Sequence, residues 1–122
     1  MSRDRKAAER AGRRAEIWVG LYLLVTGHRI LARRFRGPHG EIDLIARRRR
    51  TVLFVEVKQR RSGDPALEPV TARSEERILR TGETFLARHP DYVRRGFALR
   101  YDIVVVRGRW HLEHRRDVFR GW

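Results

Sequence analysis

The sequence contains no cysteine, which excludes disulfide bonds and thiolate zinc sites. It also lacks a long apolar run, since the longest one near the N-terminus, residues 17–25, is too short to span a bilayer. That run follows a charged, helix-forming segment, which is not the pattern of a signal peptide. We therefore expect a cytoplasmic protein without a membrane segment, and its 122 residues suffice for a domain that needs no covalent cross-links.

Lysine is nearly absent, although the chain is strongly basic. Of 29 Lys and Arg residues only Lys6 and Lys58 are lysine, and the formal net charge is +14. Such a charge attracts polyanions, and nucleic acid is the expected partner, although an arginine-rich composition can also reflect genome base composition. Arg stays protonated in proteins, whereas the pKa of a Lys can be lowered, so the internal Lys58 suggests a chemical role.

Apolar periodicity predicts the element order α-β-β-β-α-β-β, a mixed sheet with helices packed against it. The predicted elements are a helix over residues 7–25 ending at Gly27, strands over 28–36, 41–46 and 51–58, a loop over 59–69, a helix capped by Thr71 or Ser74 and ending at His89, a linker over 91–96, and strands over 98–106 and 110–113. The apolar stripe predicted for the first helix is Ala7, Ala8, Ala11, Ala15, Trp18, Leu21, Tyr22 and Val25. Residues 28–36 suit a sheet edge and residues 98–106 a central strand. Residues 1–6 form a basic N-terminus that we expect to be frayed, and residues 7–122 form one domain.

Three charged residues, Asp43, Glu56 and Lys58, interrupt the apolar pattern of the second and third strands. Alternation places Glu56 and Lys58 on one face, and the hairpin brings Asp43 within one or two residues of the position opposite Glu56. The same alternation predicts Ile42 and Leu44 on one face of their strand and Asp43 on the other. The simplest structural alternative for the trio is a cross-strand salt bridge, which is worth less than ~1 kcal/mol if exposed.

Two carboxylates and a main-chain oxygen suit a hard divalent cation. Asp43, Glu56 and the Val57 carbonyl can hold Mg²⁺ or Mn²⁺, which usually keeps several water ligands. A cation there orients a water molecule and offsets charge on a phosphoryl group, while Lys58 positions or deprotonates the nucleophile or stabilises the transition state. The trio therefore predicts phosphodiester hydrolysis.

Two phrases of the sequence resemble a known family, namely GEIDLIA at residues 40–46 and FVEVKQR at residues 54–60. The spacing of Asp43 from Glu56-Val57-Lys58 resembles the PD-(D/E)XK nuclease superfamily, and the phrases resemble its bacterial YraN family, which is similar to archaeal Holliday-junction resolvases. The resemblance covers residues 12–119. It implies an α/β restriction-endonuclease-like fold and a Mg²⁺-dependent endonuclease acting on structured or branched DNA. A homodimer follows by analogy with nucleases that cut two strands. The alternative is a non-catalytic nucleic-acid-binding module that retains the fold.

The resemblance also assigns roles to individual residues. Asp43 and Glu56 correspond to metal ligands, and Lys58 to the catalytic lysine. Glu16 matches a first-helix glutamate directed at the metal, although an intrahelical pair with Arg13 or surface solvation is an alternative. The outer-shell candidates are Glu41 and Gln59.

Several basic and aromatic residues are further candidates. Relatives commonly carry a lysine near the start of the second helix, where this chain has Ser74. The residues predicted to contact phosphate are Arg36, Arg47, Arg60, Arg61, Arg73 and Arg77. We expect His39 to be solvated and His111 and His114 to point to opposite faces. We expect Trp18 to lie in the core, and packing rather than base stacking is the favoured role of Trp110 and Trp122.

Overall fold

The computed structural model of the protein describes residues 2–65 and 70–118. Its elements are α1 (Ser2–Val25), β1 (Arg29–Gly37), β2 (Gly40–Arg48), β3 (Thr51–Arg60), α2 (Ala72–Arg88), α3 (Asp91–Arg94), β4 (Ala98–Arg107) and β5 (His111–Arg115). The predicted order is confirmed apart from α3, a short helix within the segment expected to be a linker. Trp122 and residues 66–69 of the predicted loop lie outside the described residues.

The five strands form one sheet in the order β1-β2-β3-β4-β5. β3 and β4 are parallel, and the other neighbouring strands are antiparallel. A parallel pair needs a long crossover, and α2 lies in the segment that provides it. The predicted mixed sheet is therefore confirmed, with β1 at an edge and β4 paired on both sides, and the architecture is compatible with the restriction-endonuclease-like fold.

α1 covers one face of the sheet and α2 covers the other. The residues of α1 in the core are Ala15, Val19 and Leu23, which follow one another at intervals of one turn. Leu21 and Val25 are 49% and 86% exposed, so placing them in the buried apolar stripe was wrong. Leu21 points away from the sheet because it is rotated by about 200° around the helix axis from Val19, which lies in the core. No helix in the described part of the chain is long and apolar enough to cross a membrane.

Some elements extend beyond their predicted ends. α1 begins at Ser2 rather than at residue 7, so it includes the described part of the basic N-terminal segment. An acidic residue in its first turn, Asp4, and a pair at 3.8 Å between Arg5 and Glu9 favour these early turns. β3 continues to Arg60 instead of ending at residue 58.

Two caps match the sequence analysis. Gly27, just after α1, has a φ of 89°, a left-handed conformation that glycine adopts without a steric penalty. Thr71 caps α2, and its hydroxyl oxygen accepts a hydrogen bond from the Ser74 amide at 3.1 Å.

β2 changes faces at its centre. Ile42 packs in the core on the α2 side, whereas Leu44 packs on the α1 side, so the prediction that they share a face was wrong. The paired register of β2 with β3 ends at Leu44 and Val55. Regular alternation therefore fails at Asp43, the first residue of β2 beyond the paired ladder.

Candidate active site

Asp43 lies where the paired ladder of β2 and β3 ends, and its side chain contacts β3 directly. Its Oδ2 atom accepts a hydrogen bond of 2.8 Å from the Val57 amide. A side chain thus takes the place that a strand carbonyl occupies in a regular ladder. Asp43 and Glu56 are the next residues after the last pair, Leu44 and Val55. The structure therefore brings Asp43 beside residues 56–58, as the hairpin predicts.

Glu56 and Lys58 share the face covered by α2. The Nζ atom of Lys58 lies 3.3 Å from Oε1 of Glu56, and Nη2 of Arg77 donates to the same oxygen at 3.0 Å. The hydroxyl group of Tyr101 donates to the other oxygen, Oε2. Burial alone would raise the pKa of Glu56, but the Tyr101 hydrogen bond and the charges of Lys58 and Arg77 outweigh it and lower that pKa. Glu56 is therefore held in its charged form.

Asp43 has the opposite electrostatic environment. Burial raises its pKa, and the charges of Glu16, Glu56 and Glu41 add to that effect. The Val57 amide acts the other way, but the pKa of Asp43 still rises to about 6. Several negative charges thus act on one half-buried carboxyl group, and a cation bound there would relieve their repulsion.

Glu16 reaches this region from α1. Its Oε1 atom accepts a hydrogen bond of 2.8 Å from Nε of Arg34 in β1. The partner of Glu16 is therefore Arg34 and not Arg13, the intrahelical partner considered in the sequence. Arg34 has a φ of 48°, which is uncommon for a residue with a side chain. Glu16 is near enough to Asp43 for its charge to raise the Asp43 pKa. It therefore lies at the margin of the site.

The two outer-shell candidates lie in different places. Glu41 forms an ion pair of 3.0 Å with Nη2 of Arg36, its cross-strand neighbour at the β1–β2 turn. Gln59 points to the α1 side of the sheet, where its amide nitrogen donates to the Gly108 carbonyl at 3.0 Å. Glu41 is thus close enough for its charge to raise the pKa of Asp43. The side chains of Gln59 and Lys58, in contrast, point to opposite faces of the sheet.

The predicted phosphate contacts also separate into groups. Arg73 and Arg77 line a shallow, open depression on α2 together with His39, Glu76 and Arg80, and His39 is exposed there, as expected. Arg47 lies at the other end of β2, with its guanidinium carbon 4.6 Å from the ring centre of Phe97. The remaining candidates are Arg36, which pairs with Glu41, Arg60, which donates to the Gln59 carbonyl, and Arg61, whose amide donates to Asp64.

α2 supplies its basic group from an unexpected position. Ser74 belongs to the helix cap, where its Oγ atom accepts a hydrogen bond of 3.1 Å from the Thr71 hydroxyl. One turn later, Arg77 contacts Glu56 directly. Arg77 therefore brings a positive charge from α2 to Glu56, three residues after Ser74.

Sequence reasoning missed Tyr101 and a polar network on the other face of the sheet. Asp102 is fully buried, and its carboxylate accepts two hydrogen bonds from Arg100, at 2.9 and 2.8 Å. It also lies 2.7 Å from Nε2 of His114, whose Nδ1 is 2.7 Å from the Tyr22 hydroxyl. The available signal was a tyrosine and an aspartate inside an apolar strand, because buried polar groups require partners.

The donor set suits a hard cation. Among residues 2–65 and 70–118, no group of three or more His, Cys, Asp or Glu side chains is arranged to hold a metal ion. Asp43 and Glu56 offer two carboxylates, and Mg²⁺ commonly binds one or two carboxylates while keeping several waters. A site of that kind fits these residues, whereas a cage made entirely of protein side chains does not.

Comparisons with known proteins place the chain among bacterial relatives. The model of an uncharacterised protein family, UPF0102, matches residues 15–106. A UPF0102 protein of Bradyrhizobium diazoefficiens is 47% identical over 105 residues, which cover 86% of this chain and 77% of that protein. A UPF0102 protein of Agrobacterium fabrum is 46% identical over 118 residues, which cover 97% of this chain and 95% of the relative. These names state a family and no activity.

Proposed function

The chain belongs to the uncharacterised protein family UPF0102, which is the YraN family that its motifs resemble, and we propose that it is a metal-dependent endonuclease hydrolysing phosphodiester bonds. The observation that carries this proposal is the meeting of Asp43, Glu56 and Lys58 where the β2–β3 ladder ends. A protein that only binds a polyanion gains nothing from a carboxyl group, such as that of Asp43, whose pKa is raised by burial and by the charges of other carboxylates. A cation gives that arrangement a purpose.

Each residue of the site has a distinct task under this proposal. Asp43, Glu56 and the Val57 carbonyl would hold Mg²⁺ or Mn²⁺, which when bound lowers the pKa of a water molecule and offsets phosphoryl charge. The Val57 amide orients Asp43, and the Tyr101 hydroxyl orients Glu56.

The basic groups act on the substrate. Lys58 stabilises the charge that develops on the phosphoryl group in the transition state. Arg77 lies beside Glu56 and is placed to exchange that carboxylate for a phosphate oxygen of the nucleic acid. With Arg73 it forms the basic surface of α2 that positions the strand.

The substrate follows from the family resemblance and the charge. A net charge of +14 supports binding to a polyanion, and nucleic acid is the polyanion that a phosphodiesterase site requires. We put structured or branched DNA first because archaeal Holliday-junction resolvases are similar to this family. A homodimer, which would cut two strands, is part of the same proposal.

A cleavage panel tests the activity. Purified wild type is incubated with duplex, flap, four-way and single-stranded DNA, with Mg²⁺ or Mn²⁺ or with EDTA. We expect metal-dependent cleavage that falls at least about 100-fold in Lys58→Met, because a charge aimed at the transition state is removed. The matched control is Lys6→Met, since Lys6 is the chain's other lysine and is exposed on α1. Equal cleavage by wild type and Lys58→Met on every substrate would refute the proposal.

A non-catalytic nucleic-acid-binding module is the second candidate. The observation that favours it is that Glu56 has two cationic partners within the protein, Lys58 and Arg77. This candidate predicts a DNA affinity that falls steeply with salt but is unchanged by EDTA, together with no cleavage. Titration with Mn²⁺ separates the two candidates, because only the nuclease should lose specific metal binding in both Asp43→Ala and Glu56→Ala.

A further inference from the structure

A cleft lies on the α1 face of the sheet, behind the strand end that carries Lys58. It has a volume of about 400 Å³, and α1, the end of β3 and the β4–β5 turn enclose it. We name it the tryptophan cleft, after two of the residues that line it. The lining residues that matter here are Arg14, Trp18, Leu21, Gln59, Arg109 and Trp110.

Trp110 is exposed, and contacts with Trp18 fix its position. The residue is 66% exposed, although its ring packs edge to face against Trp18, with ring centres 5.3 Å apart and an angle of 77° between the rings. The indole N–H of Trp18 donates to the Trp110 carbonyl at 3.0 Å and so ties the turn to α1. Trp110 therefore packs against Trp18, as expected, while a wide part of its aromatic surface remains open to solvent.

The charged residues around this aromatic surface indicate which class of ligand fits the cleft. The charged residues lining the cleft are Arg14 and Arg109, and no acidic residue of the described chain lines it. An aromatic surface flanked by guanidinium groups matches a nucleotide, since the ring stacks on a base and the cations meet the phosphates. Bases inside a duplex are already stacked on their neighbours, so only an unpaired nucleotide can present its face.

We propose that the tryptophan cleft binds an unpaired nucleotide of a DNA strand by stacking its base on Trp110, with Arg14 and Arg109 contacting the adjacent phosphates. This inference rests on the proposed function, because it names the part of the substrate that the nuclease holds beside its site. Gln59 lines the cleft and directly follows Lys58 in β3, and consecutive strand residues point to opposite faces. A strand leaving the cleft therefore passes around the end of β3 to reach the site.

The test measures binding in EDTA, so it does not depend on cleavage. Wild type is titrated with fluorescent oligothymidylate and with an abasic chain of the same length and charge, and anisotropy is recorded. We expect the abasic chain to bind about 10-fold more weakly, which corresponds to one stacked base. Trp110→Ala should remove this preference and Trp110→Phe should keep most of it. Val25→Ala, on the exposed part of α1 outside the cleft, should match wild type.

Two results would overturn the inference. One is equal affinity of wild type for the two chains. The other is a Trp110→Ala protein that keeps the preference for bases but loses self-association in sedimentation, because the cleft would then be an interface between two copies. If the cleavage panel fails while the preference for bases depends on Trp110, the nuclease function is rejected and the nucleotide cleft stands.

Discussion

Replacing Asp43 with asparagine should stabilise the protein at neutral pH, although it removes a proposed metal ligand. Burial and the charges of Glu16, Glu56 and Glu41 raise the pKa of this carboxyl to about 6 from an ordinary value of 3.8. Asparagine has nearly the shape of the protonated carboxyl group and can still accept the hydrogen bond from the Val57 amide. The substitution therefore removes a charge that the folded state disfavours.

The expected size follows from proton linkage. Because the pKa of Asp43 is higher in the folded than in the unfolded state, ionising it costs the folded state free energy. The cost is absent below the unfolded value of 3.8, grows up to the folded value of about 6, and is complete above it. At 1.36 kcal/mol for each pKa unit, the full cost is about 3 kcal/mol. Asp43→Asn should gain up to that amount at neutral pH and almost nothing near pH 4.

Urea unfolding in EDTA, at neutral pH and near pH 4, measures this gain. Adding Mg²⁺ should narrow the difference, because the ion stabilises only the protein that binds it. Asp91→Asn is the control, since that carboxylate is 80% exposed in α3 and its loss should change the free energy of unfolding by less than about 0.5 kcal/mol. The reasoning is refuted if Asp43→Asn is less stable than wild type at neutral pH, or if its gain is as large near pH 4.

Three further substitutions test other parts of the structure. Asp102→Asn should cost about 2–3 kcal/mol in urea unfolding, because it removes the buried charge that pairs with the Arg100 guanidinium group. Hydrogen bonds outweigh burial and lower the pKa of Asp102 from 3.8 to about 2, so the wild-type advantage should hold above pH 3.8 and be lost as the pH falls through about 2. Tyr101→Phe removes the hydroxyl donor to Glu56, so the pKa of Glu56 should rise. As the pH is lowered, Mn²⁺ binding measured by calorimetry should therefore be lost at a higher pH than in wild type, and an unchanged pH dependence would contradict that contact. Gly40→Ala should destabilise the fold by about 1–3 kcal/mol, because Gly40 has a φ of 147° and a methyl group would lie 2.6 Å from the Arg77 side chain; a wild-type urea midpoint would contradict this.

The parts of the site that depend on local rules could be predicted from the sequence. The shared face of Glu56 and Lys58 follows from strand alternation, and the approach of Asp43 follows from the short β2–β3 hairpin. The change of face between Ile42 and Leu44 could not be predicted, because alternation assumes a regular ladder and Asp43 interrupts it.

Contacts that depend on how helices rotate against the sheet were not predictable in the same way. Arg77 reaches Glu56 because α2 turns that side of the helix toward β3, and helical periodicity alone cannot fix this rotation. The same holds for Glu16, whose partner Arg34 belongs to another element and not to α1. Tyr101 was hidden for a different reason, since an apolar strand accommodates a tyrosine ring whether or not its hydroxyl group has a functional partner.

The ion pair between Arg77 and Glu56 fits the proposed nuclease site, in which both groups would exchange partners when substrate and cation bind. The Nε atom of Arg77 is buried without a hydrogen-bond partner among the described residues, and such a donor costs free energy. Arg77 therefore meets the Glu56 charge at Nη2 while part of its guanidinium group stays unsatisfied. A phosphate oxygen offers acceptors that Glu56 alone does not, and a cation beside Glu56 would replace the charge that Arg77 takes away. Binding of substrate and cation would thus satisfy both groups together, which neither ligand achieves alone.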